Sequence, residues 1–210
     1  MTAGGKSIGR GRVRSGDAQK TYTISLPAGN GGELTTRTSA SIGTATMDSA
    51  SHTISTGQDV DIHWTVGGVT GARYGVTVGT VAGTSVPFTG GAGDDLPIVN
   101  SGLTITARTS AAAALDGDQA QLVGVEFQRD VDTDTAGGHA EFVDTGAANV
   151  AALSLKPNLA YIYDIAGGDT NPFTGNPITD VLASNGSPTN DATLVILSVE
   201  NITTTTTAAP

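Results

Sequence analysis

An all-β fold, with a small SH3-like barrel or meander beside a jelly-roll-type β-sandwich and extended termini, follows from three observations. The chain of 210 residues holds 29 glycines and about thirty threonines, a composition that suits strands joined by tight turns. Apolar residues recur with period two over most of its length, the spacing of a strand with one buried face. The last such run, Ala192 to Val199, is apolar on both faces, as a central strand covered on two sides would be. A chain of this length can bury a substantial core, as one large β domain or two small ones.

Taken in order, residues 1–20 are Gly- and Arg-rich without apolar periodicity and read as an extended basic arm. From Thr21, the residues Tyr22, Ile24 and Leu26 can face inward until Pro27 and the GNGG at 29–32 end the strand. A Thr/Ser-rich run from Leu34 to Met47 carries a weaker strand pattern. Val60, Ile62, Trp64 and Val66 then share one face, while Asp59, Asp61, His63 and Thr65 share the other and are expected to meet water. A turn at Gly67–Ala72 leads to a second inward row of Tyr74, Val76 and Val78. Gly79 breaks the parity and predicts a β-bulge, and AGTS at 82–85 turns into a third strand with Val86 and Phe88. These strands hold too few apolar side chains to stand without neighbours, and Thr104–Thr106 offers one. This places an N-terminal β region with a small barrel at 21–109.

Residues 110–121, SAAAALDGDQAQ, have no inward row and are expected to be a linker, with room for one short helical turn. Beyond it, Val123, Val125 and Phe127, then Ala140 and Phe142, then Val150, Leu153 and Leu155 supply strands. Pro157-Asn158 makes a turn before Tyr161, Tyr163 and Ile165, and the loop 167–177 precedes Ile178, Val181 and Leu182. Residues 122–202 are thus the predicted sandwich, and 203–210, TTTTTAAP, a low-complexity tail.

The net charge of −10 is unevenly spread. Lys6, Arg10, Arg12, Arg14 and Lys20 against Asp17 give residues 1–20 a net +4, leaving five basic and nineteen acidic residues in the rest. An acidic body is a poor reader of nucleic acid; the arm is either a solvated tail or a partner-binding segment whose five cations suit an acidic neighbour or, less simply, nucleic acid. Absent cysteine excludes disulfides, thiolate nucleophiles and Cys-based zinc sites. The first twenty residues lack the roughly 7–15-residue apolar core of a secretory signal, and no run reaches the ~18–20 apolar residues of a membrane helix. Synthesis in the cytoplasm without a membrane partner is the expectation.

Four groupings could carry chemistry. Asp130, Asp132, Asp134 and Glu141 match the D-x-D-x-D spacing of a calcium loop with Glu at its twelfth position. Against calcium stand Thr135 where that loop wants Gly and the absence of flanking amphipathic helices; the alternative is a solvated acidic hairpin tip. His52, His63 and His139 have no ligand spacing, and His63, between acidic residues on a polar face, is expected at the surface. Many serines permit a Ser-His-Asp set on paper, but no G-x-S-x-G elbow is present. The carboxylate pairs Asp94-Asp95 and Asp59/Asp61 could serve glycoside hydrolysis, yet only nine aromatic residues remain to fill both core and sugar platforms. For Asp94-Asp95 the simpler reading is a glycine loop, with Gly90, Gly91 and Gly93 at positive φ and an Asp accepting from backbone amides. No enzyme is expected.

The stretch RYGVTVGTVAGTSVPFTGGAGDDLP, preceded by VDIHW, resembles structural proteins of tailed bacteriophages and prophages. LAYIYDIAGGDTNPFTGNPITDVLASNG is similar in style to small virion proteins encoded near capsid genes. The two stretches cover about a third of the chain, leave the first 58 residues outside, and carry over no catalytic residue. The resemblance implies a non-enzymatic virion component, most simply a head-decorating or capsid-stabilising protein. Its partners would be the major capsid protein or another virion protein, and copies of itself, with a trimer favoured. The alternatives are a tail, fibre or cell-surface adhesin that binds glycans and, behind it, a polysaccharide hydrolase.

Overall fold

The computed structural model of the chain describes residues 17–111, 121–131, 133–144, 149–162 and 178–201. Among these the regular structure is all strand. The chain starts in β1 (Asp17–Leu26) and enters a barrel built from β2 (Asn30–Arg37), β3 (Ile42–Met47), β4 (Asp59–Val66), β5 (Val69–Val78), β6 (Ser85–Gly93) and β7 (Gly102–Ala107). It then runs through β8 (Thr109–Ala111), β9 (Gln121–Arg129), β10 (Gly138–Asp144), β11 (Asn149–Leu155), β12 (Leu159–Ile162), β13 (Ile178–Asn185) and β14 (Ala192–Asn201).

The barrel closes antiparallel in the order β2-β3-β6-β5-β4-β7. It is therefore neither a plain meander nor a three-stranded fragment: β6 returns beside β3, and β7 closes the gap between β4 and β2. Its core follows the row read from period two, with Val60, Ile62 and Trp64 of β4 meeting Val76 and Val78 of β5, Val86 and Phe88 of β6, and Leu103 and Ile105 of β7, but Tyr74, read into that row, turns out of the barrel to stack on His139. Closure removes the free edges that such a glycine-rich sheet would otherwise expose.

The other eight strands stack as two sheets, β1-β14-β9-β12 and β11-β10-β13-β8. Their pairs are first with last, second with seventh, third with sixth and fourth with fifth: β1·β14, β8·β13, β9·β12 and β10·β11. A long antiparallel ribbon folded on itself in this way is a jelly roll. Ile24, Leu26, Phe127, Phe142, Val181, Leu194 and Ile196 fill its core, separate from that of the barrel. β14 lies between β1 and β9 as expected, but its second face is only partly covered: Leu197 is buried and Val195 half-buried.

The units follow the chain differently from the division at 110–121. β1 pairs with β14 through all ten residues, Asp17 opposite Asn201 and Leu26 opposite Ala192, so residues 21–26 belong to the sandwich and the barrel is inserted between its first two strands. Alternation marks β1 as a strand but says nothing of a partner more than 160 residues away. The expected linker starts in β8 and ends in β9; its alanine run, 112–120, lies outside the described residues, as do Tyr163, the loop 167–177 and the tail 203–210.

Two short crossings join the units. At the first, Gly29 N–H donates to Ser187 O at 2.8 Å and Ala28 N–H to Asp191 Oδ1 at 2.8 Å. A Cβ at Gly29 would sit 2.2 Å from Thr106 Oγ1, so only glycine passes there. The Thr106 hydroxyl in turn donates to Asn185 O at 2.6 Å. Asn185 is fully buried and spends its side chain on Leu26 O, Asn190 O, Ser187 N–H and Arg129.

Candidate functional site

The outward face of β4, expected in water, is where the sandwich packs: Asp61 is fully buried and His63 is 7% exposed. The local cause is a bulge. Val60 opposes Val76 but Ile62 opposes Arg73, so Asp61 faces two residues, Tyr74 and Gly75. Gly75 takes the extra step at φ 62°, and its N–H donates to Asp61 Oδ1 at 2.9 Å. The irregularity predicted at Gly79 is thus found four residues earlier, at a glycine that can adopt the left-handed region; Gly79 follows the end of β5 and donates to Pro87 O.

Around Asp61 a polar network ties barrel to sandwich. Arg108, in the second crossing, donates from Nε to Asp61 Oδ1 at 2.7 Å and from both terminal nitrogens to Glu141, at 3.0 and 2.7 Å. His139 Nε2 is 3.1 Å from the same carboxylate. Ser184 donates to Asp61 Oδ2 at 2.6 Å, and His63 Nε2 lies 3.1 Å from Ser184 Oγ. Tyr74 stacks on His139 at 3.5 Å between centroids and meets His63 edge-on at 6.0 Å. Two of the three histidines that sequence separation kept apart therefore share one tyrosine. His52 is not part of this group and lies 3.0 Å from Gly83 O.

Burial lowers the His63 pKa from 6.5 to about 4, the Asp61 charge only partly opposing it. Burial also works against the Glu141 anion, but hydrogen bonds from His139 and Arg108 and the Arg108 charge prevail and hold its pKa at about 2. Tyr74 is pushed up, chiefly by burial. Arg108 is raised against its own burial by Glu141 and Asp61.

Ser184, His63 and Asp61 are the residue types of a nucleophilic triad in the wrong order. In a triad the serine gives its proton to histidine and the carboxylate orients the histidine. Here the Ser184 proton goes to Asp61, so neutral His63 donates from Nε2 to Ser184 Oγ, and Ser184 is 1% exposed. The arrangement ties the two units together, with the Ser184 hydroxyl committed to Asp61.

Beside this network lies a cleft of about 720 Å³. One wall is barrel, from β2, β4, β5 and β7; the other is sandwich, from residues 135–138, 154–157, Gly186 and Pro188. Trp64, Tyr74 and His63 reach it, with Asp48, Asp94 and Lys156 as its other ionisable groups.

The remaining predicted sites fall elsewhere. Asp132 lies outside the described residues and Asp130 is exposed. Asp134 accepts from Ala136 N–H and Asn190 Nδ2 and lies 3.9 Å from Arg129, whereas Glu141 belongs to the Arg108 network. Among the described residues no cluster of three acidic or histidine side chains could hold a metal ion. Asp94 behaves as the glycine-loop reading expects: Gly90, Gly91 and Gly93 have positive φ, and Asp94 Oδ2 accepts from Ala72 N–H at 3.1 Å. Asp59 accepts from Thr77 Oγ1, and Asp95 is exposed. Lys20 pairs with Ser198 in the β1–β14 ladder, while Lys6, Arg10, Arg12 and Arg14 lie outside the described residues.

Period-two reading missed the arginines. Arg73 donates to Gly90 O, Gly91 O and Asp94 O at 2.6, 2.8 and 2.9 Å and so fixes the glycine loop. Arg129 lies over the Phe127 ring and donates to Ala136 O, Gly137 O and Asn185. Scarcity was the signal available: five cations among nineteen carboxylates in residues 21–210 make each one a candidate anchor. Comparison of the chain with protein-family models, curated proteins and solved structures finds no match.

Proposed function

We propose that this chain is a non-enzymatic virion structural protein that decorates or stabilises a phage capsid, attached through the end of its sandwich that bears the basic arm. The observation that carries this reading is the β1–β14 register. Asp17 stands opposite Asn201, so residues 1–16 and 202–210 both join the body at one end of one sheet. Leu26, Ala192 and the barrel are at the opposite end. The first twenty residues, with a net charge of +4, join the body at the end remote from the barrel, and the Arg108 network ties the acidic barrel and sandwich together.

Such a layout suits a lattice protein. A cationic arm recognises an acidic neighbour at long range, and many identical weak contacts become strong when a shell presents them together. Among the described residues the closed barrel has no free edge and the sandwich sheets do, where a strand of a neighbouring copy can pair. The test is co-sedimentation with shells and tails assembled from the virion proteins encoded beside it. Full-length protein is expected on shells, and removing residues 1–16, which leaves β1 whole, should release most of it. Protein that stays off shells and tails alike would end this reading.

A further inference from the structure

We propose that the cleft between barrel and sandwich is a binding site for a neutral, hydroxyl-rich ligand, a short saccharide. At about 720 Å³ it falls within the range of small-molecule sites, roughly 300–1,000 Å³, and it lies at a junction of two units, where such sites concentrate. Sequence reasoning spent the aromatic residues on the cores, yet Trp64 and Tyr74 both reach this cleft.

The lining selects the chemistry. Trp64 is nine-tenths buried, and its indole N–H has no hydrogen-bond partner among the described residues. An apolar occupant would leave that donor dry and unpaired. An anion meets two carboxylates, Asp48 and Asp94, against Lys156 alone, with His63 neutral above pH 4. A metal finds no ligand cluster among the described residues. An added strand finds the barrel closed, and at the end of β11 the Tyr161 hydroxyl already takes Ser154 O and Lys156 N–H.

A saccharide complements what remains. Its hydroxyls donate to the carboxylates and accept from the indole N–H and from Lys156. Thr65 and Thr70 are exposed, lie across from each other in β4 and β5, and stand 3.5 Å apart, so both hydroxyls keep capacity for a ligand. Asp94 commits Oδ2 to Ala72 N–H, and no hydrogen bond engages Oδ1 among the described residues. At Gly102, on the same wall, an added Cβ would meet nothing within 4 Å. The floor there is bare backbone that a ring can approach. The inference stands independently of capsid attachment, which the opposite end of the molecule performs.

Trp64 is the only tryptophan of the chain, so its emission reports one place, where the barrel core meets this cleft. The experiment titrates the full-length protein with neutral mono- to tetrasaccharides built on glucose, galactose, mannose and N-acetylglucosamine. Heparin oligosaccharides and a synthetic peptide of residues 1–16 serve as charged comparators. At least one neutral saccharide should change Trp64 emission saturably and shield it from acrylamide. Gly102→Leu, which fills open space, should weaken that binding by about tenfold or more at an unchanged melting temperature. The double variant Thr65→Val/Thr70→Val keeps the strands and removes only hydroxyls; it should weaken binding several-fold, and it decides the matter should Gly102→Leu fail to fold. The proposal is overturned if no neutral saccharide acts below about 10 mM, if the fillable cleft makes no difference to binding, or if only the charged comparators saturate. Loss of saccharide binding with shell binding intact, or the reverse, separates this site from the proposed capsid role.

Discussion

Arg108 joins the two units at the scale of single atoms, because Asp61 comes from the barrel, Glu141 from the sandwich, and the guanidinium from the segment between them. Taking charges out of water is costly, and the geometry offsets that cost only while every member is present. Arg108→Met should therefore destabilise the protein by about 3–5 kcal/mol, since it strands two carboxylates in a largely dry junction. Adding Asp61→Asn and Glu141→Gln to that variant should recover most of the loss, because the neutral amides no longer need a counter-charge. Denaturant unfolding of the single and triple variants checks this, and equal losses in both would show that the charges are not what matters. Alternation assigned Asp61 and His63 correctly to the face opposite Val60 and Ile62. It could not tell that this face meets a second unit, because period two records parity along a strand and carries no information about what packs on the polar side.

At the scale of elements, the positions that glycine permits are more legible than the pairings they serve. Gly90, Gly91 and Gly93 were readable as left-handed because they cluster before an aspartate that caps a backbone N–H. Gly75 is less legible than Gly79, since Tyr74 reads as one more member of the apolar row; only the pairing against β4 shows that the extra residue turns Tyr74 out to His139 while Val76 stays in the core. A substitution at Gly75 has room, with the nearest atoms those of the Arg108 guanidinium at 3.6 Å, so its cost is conformational. Gly75→Ala should lose about 1–2 kcal/mol from the left-handed backbone alone. Gly102→Ala, at ordinary φ with open space around it, should change stability by no more than about 0.5 kcal/mol. Thermal unfolding of the pair tests the assignment: equal melting temperatures would mean that the bulge does not hold Gly75 at positive φ. The two-sided apolar pattern of β14 predicted its central place, whereas its union with β1 arises from chain ends that meet only in the fold.

The whole molecule has two apolar cores and a polar seam, so acid should act on the seam first. His63 is neutral in the folded state, with its pKa lowered from 6.5 to about 4 by burial. Between those values the unfolded chain binds a proton that the folded chain refuses, so stability is complete above about pH 6.5 and declines as pH falls toward 4. The 2.5-unit difference corresponds to roughly 3 kcal/mol lost across that window. Glu141 extends the decline: its folded pKa of about 2 lies below the ordinary 4.5, so its contribution is present above pH 4.5 and disappears as pH falls through 2. His63→Phe separates the two. The ring keeps its place beside Tyr74, and Ser184 still donates to Asp61, so no donor is orphaned. Unfolding free energies measured from pH 8 to pH 3 should fall steadily below pH 6.5 in the parent protein. The variant should stay level down to about pH 4.5 and decline only below that, where Glu141 and Asp134, both held below the ordinary carboxylate range, take up protons. Parallel curves for the two proteins over pH 6.5–4.5 would mean that His63 is not the group whose protonation loosens the seam, and would leave the burial of its ring without that energetic consequence.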